Sequence, residues 1–105
     1  MSWIYLILAG LFEIGWPIGL KMAQQEQTRI TGIVVAVVFM TISGLLLWLA
    51  QKAVPMGTAY AIWTGIGAAG TFLVGVLVYG DPATFVRYIG VALIVAGVAT
   101  LKIAH

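Results

Sequence analysis

Cysteine is absent, so the chain has no disulfide framework, no thiol nucleophile and no cysteine-ligated metal or iron–sulfur site. Its single histidine, His105, excludes a histidine-rich metal site as well. Charge is scarce: 8% of the 105 residues are Asp, Glu, Lys or Arg, against about 25% in an ordinary soluble domain. Three acids and five bases cannot clothe a folded particle of this size in water, which excludes a soluble globular domain. A disordered chain is excluded too, because 63% of the residues are hydrophobic. The net charge of +2 comes from scattered bases with no cluster, so there is no electrostatic footprint for nucleic acid. What the chain has instead is long apolar sequence, with a mean hydropathy of +1.14. That composition points to an integral membrane protein built as one unit.

The charged residues cut the chain into four apolar stretches, at about 3–20, 30–50, 56–79 and 83–101. Each approaches the ~20 residues that a helix needs to cross the hydrocarbon. A closed barrel would alternate polar and apolar residues, and these stretches do not. The expected fold is therefore an all-α membrane protein with four transmembrane helices in a single transmembrane domain. The connections are short, so sequential helices run antiparallel. Asp81, in the turn Gly80-Asp81-Pro82, is placed to cap the fourth helix. The first span does not read as a signal peptide, since it lacks a basic start and carries Glu13 and Pro17.

Lys52 and Lys102 fall on one side of the membrane, and Lys21, Arg29 and Arg87 on the other. The bias that orients membrane proteins is almost nil. Two readings stay open: a fixed but weakly encoded orientation, or insertion both ways with pairing of inverted copies.

Glu13 lies ten residues past Trp3, well inside the first span. An intramembrane carboxylate is costly and marks a functional site by default. The bland alternative is a protonated acid bonded to a neighbouring helix. Arg87 stands near the start of the fourth span, where it can snorkel to the headgroups, and no base lies deep within a span to neutralise Glu13, so its partner is external: a proton, a metal ion or an organic cation. Leu6, Gly10, Glu13, Trp16 and Pro17 share a face by helical spacing. Gly10 leaves room one turn away. Pro17 removes the amide that would bond the Glu13 carbonyl, and a kink is expected there. Gly10, Gly15 and Gly19 equally suit close helix packing.

Tyr60, Trp63, Thr64 and Gly67 share a face of the third span. Tyr and Trp offer hydrogen-bond donors on flat apolar bodies, suited to orienting a carboxylate or stacking on a planar cation. They equally suit an aromatic belt at the membrane interface. Ser43, mid-way along the second span, is a further polar candidate, although such serines often bond back to their own helix. Gly65 to Gly70 matches G-x-G-x-x-G, but no strand or βαβ unit surrounds it, so the match reads as a bend or soft point in a helix. Gly90, Leu93, Ile94 and Gly97 form a stripe on the fourth span, a helix-contact face free to hold a partner protomer.

Together these residues resemble the small multidrug resistance family of proton-coupled exporters. The motifs are Ala9-Gly10-x-x-Glu13, the run from Pro55 to Gly67 (P-x-G-T-A-Y-A-I-W-T-G-I-G), and G-x-x-L-I-x-x-G from Gly90 to Gly97. Trp16 after Glu13, Thr64 after Trp63 and the closing Leu101-Lys102 are similar to the guanidinium-exporter subtype. Pro17 and the first loop depart from the commoner pattern.

The resemblance implies a multi-pass protein of the bacterial inner membrane that is not an enzyme and needs no cofactor or metal. It implies an antiparallel, dual-topology homodimer joined through the Gly90–Gly97 stripe, although some relatives pair non-identical subunits. It also implies one shared site, in which Glu13 binds substrate and proton while Gly10, Trp16, Ser43, Tyr60 and Trp63 line the pocket. Guanidinium is planar and permanently protonated, and carboxylate is its geometric complement. Substrate and proton would use the same oxygens in turn. Three other readings compete: a broad-range exporter of quaternary ammonium and lipophilic cations on the same scaffold, a proteolipid-like subunit, and a non-transporting membrane subunit.

Overall fold

The structure, a computed structural model, describes residues 1–104; His105 lies outside the described residues. Four helices account for most of the chain: α1 Ser2–Met22, α2 Arg29–Ala50, α3 Met56–Tyr79 and α4 Phe85–Ala104. All four are long and apolar enough to cross a membrane. A helix satisfies most of its backbone polar groups internally, as a lipid environment demands. Pro17 sits inside α1 without ending it.

The connections close off helix ends with named partners. Below α1, the Thr28 hydroxyl donates to the Met22 carbonyl at 2.6 Å and Arg29 Nε donates to the Ala23 carbonyl at 3.4 Å. These bonds satisfy carbonyls that the end of α1 leaves free. A short 3-10 turn, Glu26–Thr28, leads into α2. After α3, Gly80 takes a left-handed conformation (φ 70°) that only glycine adopts without cost, and this reverses the chain. The expected role of Asp81 as cap of α4 is not what forms. The Thr84 hydroxyl accepts from the Arg87 amide at 3.3 Å, so Thr84 is the cap, and α4 starts at Phe85. The Asp81 amide instead turns back to the Gly75 carbonyl at 3.0 Å. Gly75 has no side chain to keep the Asp81 carboxylate away from α3.

The helices lie side by side in the order α2, α1, α3, α4. The Cα extents are 44 × 34 × 16 Å, a slab one to two helices thick. Small residues set the closest crossing. A Cβ on Gly19 would meet the Ala36 amide nitrogen at 2.5 Å, and one on Gly32 would meet the Gly19 carbonyl at 2.5 Å. Backbone therefore lies on backbone where α1 crosses α2. A cluster of Leu6, Ala50, Val54, Ala59 and Ile62 fills the end of the slab that holds the α2–α3 loop. α4 buries no residue in the protomer and lies along α3 at the edge. Its last turn is held by Lys102, whose ammonium stands 4.5 Å from the centre of the Trp3 ring.

The three glycines of the G-x-G-x-x-G match lie inside α3 without interrupting it. The helix is continuous from Met56 to Tyr79, and each glycine is a contact point: Gly65 with Val98, Gly67 with Glu13, Gly70 with Ile14. The physical reason is the same as at Gly19, close approach without a side chain in the way.

Candidate functional site

Glu13 crosses α3 at Gly67. A Cβ on residue 67 would fall 2.6 Å from Glu13 Cγ, so glycine is what admits the carboxylate stem between the two helices. The carboxyl has Trp16 and Ser43 close to it. Even so, Glu13 Oε1 and the indole Nε1 of Trp16 are both buried without a hydrogen-bond partner. A buried acceptor left unmet is costly, and it is met when a donor arrives. Glu13, Trp16 and Pro17 of α1 face Thr64, Gly67 and Thr71 of α3 across an open cleft of about 260 Å³. No base lines it, so no protein cation competes for the carboxylate.

Ser43 is fully buried, at 0% exposure, and does not bond back to its own helix. Its hydroxyl donates to the Ala9 carbonyl of α1 at 2.8 Å and accepts from Trp63 Nε1 of α3 at 2.7 Å. One side chain thus ties three helices together one turn from Glu13. The Tyr60 ring lies 5.4 Å from that of Trp63 at 53°, a tilted aromatic pair. Tyr60 is 57% exposed on the protomer surface.

The structure therefore gathers Glu13, Trp16 and Ser43, with Trp63 and Tyr60 attached through Ser43. Gly10 is buried against Ile66, a Cβ there falling 2.7 Å from Ile66 Cβ, and it does not line the cleft. Leu93, Ile94 and Gly97 stand apart, in an apolar groove that α4 forms with Ala61 and Gly65 of α3. Apart from the local backbone of α4 itself, no atom comes within 4 Å of where a Cβ on Gly90 or Gly97 would stand. Sequence reasoning missed Thr71 and the Ala9 carbonyl. Thr71 was within reach, since Thr64, Gly67 and Thr71 continue one stripe at helical spacing. The Ala9 carbonyl was not, because nothing in a sequence marks one backbone carbonyl among many. Among the described residues no group of His, Cys, Asp and Glu could hold a metal ion.

The chain matches the Small Multidrug Resistance protein family over residues 1–94. The chain belongs to the small multidrug resistance family. Among its relatives are proteins named guanidinium exporter. That of Proteus vulgaris is 47% identical over 104 residues, 99% of each chain. That of Yersinia pseudotuberculosis serotype I (strain IP32953) is 45% identical over the same share of both. That of Salmonella typhimurium (strain LT2) is 46% identical, covering 99% of this chain and 98% of the relative. Like other small multidrug resistance proteins, this one is a multi-pass membrane protein with all four of its helices apolar enough to span.

Proposed function

We propose that this small multidrug resistance protein exports guanidinium and small substituted guanidinium cations from the bacterial inner membrane, exchanging them for protons at Glu13. The observation that carries this reading is the buried, partnerless Glu13 oxygen in a cleft lined by no base. Guanidinium is all donors and no acceptors, in a flat fork that matches a carboxylate. The relatives' name supports the same substrate. Trp16 offers its free indole N–H to the carboxylate. Ser43 holds the Trp63 ring, and Trp63 with Tyr60 offers aromatic faces to a planar cation. Gly10 sets the depth of α1 against α3.

The working unit is an antiparallel homodimer. α4, none of whose residues is buried in its own protomer, supplies the contact through Gly90, Leu93, Ile94 and Gly97. The two Glu13 residues then share one site. Proton and cation displace each other there, and if only loaded sites change their side of access, the proton gradient drives export.

The test is uptake into proteoliposomes under an imposed pH gradient, with guanidinium, substituted guanidines and quaternary ammonium ions compared. Gradient-driven guanidinium uptake is expected in the parent and its loss in Glu13→Gln, which keeps the shape and removes the titratable charge. Quaternary ammonium ions carried as well as guanidinium would replace this reading with the broad-range one. Uptake surviving at the parent rate in Glu13→Gln would end the proposed mechanism.

A further inference from the structure

The Glu13 cleft has a continuation. It shares Pro17 and Thr71 with a cavity of about 150 Å³ whose wall includes Lys21, Gly75, Tyr79 and Asp81. That cavity shares Lys21 and Tyr79 with another of about 330 Å³ under the α1–α2 loop, lined by Gln24, Gln25 and Thr28. The chain of cavities runs from Glu13 to the end of the slab formed by the first and third loops. The opposite end is filled by the Leu6, Ala50, Val54, Ala59 and Ile62 cluster. Tyr79 and Asp81 line the middle cavity of this series.

We infer that the Tyr79 ring and the Asp81 carboxylate form an outer cation-binding site on the route to Glu13, whose aromatic half the Lys21 ammonium covers until a substrate cation displaces it. The inference rests on the export reading above. Two observations place it at these residues. The Lys21 ammonium already stands over the Tyr79 ring, 5.7 Å from its centre, so the ring face takes a cation. Asp81, the acid beside it, is not spent on capping α4, because Thr84 does that. Its amide bond to Gly75 at 3.0 Å and the bare Gly75 beneath it fold the carboxylate onto α3, inside the cavity wall. An aromatic face beside a carboxylate is the pairing that suits guanidinium, through stacking and forked hydrogen bonds. A tethered ammonium makes the site selective by competition: a cation that binds ring and carboxylate together displaces Lys21, and one that binds neither well does not.

The outer site acts on delivery, so its loss changes transport at low substrate and leaves the equilibrium at Glu13 alone. The experiment measures initial rates of guanidinium uptake into proteoliposomes against concentration, together with guanidinium affinity of the purified protein from tryptophan fluorescence. Asp81→Asn is expected to lower kcat/KM about fivefold, the scale of one exposed cation contact with its steering charge. Its affinity at Glu13 should stay within about twofold of the parent. Gly75→Ala, which displaces the carboxylate without removing it, should do the same. K21Q combined with Q27K, which keeps the number of bases at this end and hence the insertion bias, should raise kcat/KM. Unchanged kcat/KM in Asp81→Asn and Gly75→Ala, or an equal loss of affinity at Glu13, overturns the outer site. A parent that takes up no guanidinium removes the export reading and this one with it; a parent that transports beside variants that match it removes the outer site alone.

Discussion

Ser43 has a single proton, and it gives that proton to the Ala9 carbonyl while accepting one from Trp63. Replacing it by Ala takes the acceptor from the part-buried Trp63 indole N–H, a loss of about 1–3 kcal/mol where water does not replace it, while the Ala9 carbonyl keeps its helical bond from the Glu13 amide. Ser43→Ala is therefore expected to melt at a lower temperature than the parent and to bind guanidinium more weakly, because Trp63 loses its anchor. A thermal melt and a binding isotherm on the same preparation check this; unchanged affinity would mean that Trp63 is held by packing alone. At Gly67 the constraint is space. Gly67→Ala puts a methyl into the Glu13 stem and should cut affinity in a protein that still assembles, as read by binding beside size-exclusion chromatography. Protonation follows from shared oxygens. Guanidinium keeps its charge throughout the working range, so only the carboxylate titrates, and a proton bound there excludes the cation. Affinity should fall as pH falls. A dissociation constant that stays flat between about pH 6 and 9 would remove Glu13 as the common site.

Two kinds of glycine serve the helices differently. Gly19 and Gly32 sit where backbone meets backbone between α1 and α2, with neighbouring main-chain atoms as close as 2.5 Å to an added Cβ. Main chain cannot give way as a side-chain tip can, so Gly19→Ala or Gly32→Ala should abolish a folded protomer, seen as loss of monodisperse protein after extraction. Gly90 and Gly97 have open space above them in the protomer. Gly97→Leu should leave helix content by circular dichroism at the parent level and lower the fraction of dimer in cross-linking. A dimer fraction equal to the parent's would place the contact elsewhere. The same contrast bears on the glycines of α3. A soft point and a close contact use the same residue, and only the neighbour opposite, Val98, Glu13 or Ile14, tells them apart.

Across the whole molecule the issue is orientation. Two bases on one side and three on the other encode little preference, and a slab with a bare α4 at its edge has much surface to share. Lys residues added after Ala50 should draw that loop to the cytoplasm, and Lys residues added near Gln25 should do the reverse, as reporter fusions at the C-terminus would record. Each biased variant should confer poor growth under guanidinium stress alone, and the two together should restore it. Export by one fully biased variant at the parent level would exclude the antiparallel pair.

Composition and spacing alone determined that this chain spans a membrane four times and that Glu13 is its one acid within a span. Both follow from transfer free energies, which depend on residue type and run length and not on neighbours. The polar stripes of α1 and α3 were legible for the same reason, since helical period puts Glu13 with Trp16 and Thr64 with Gly67 whatever the fold. What the tertiary structure decided was every partner across helices. It turned Ser43 away from its own backbone to Ala9 and Trp63, closed Gly10 against Ile66, and gave the cap of α4 to Thr84 so that Asp81 folds onto Gly75. Periodicity fixes which face a residue occupies. Which atom meets it there depends on the depth and crossing of the neighbouring helix, and those are set by packing between segments far apart in the chain.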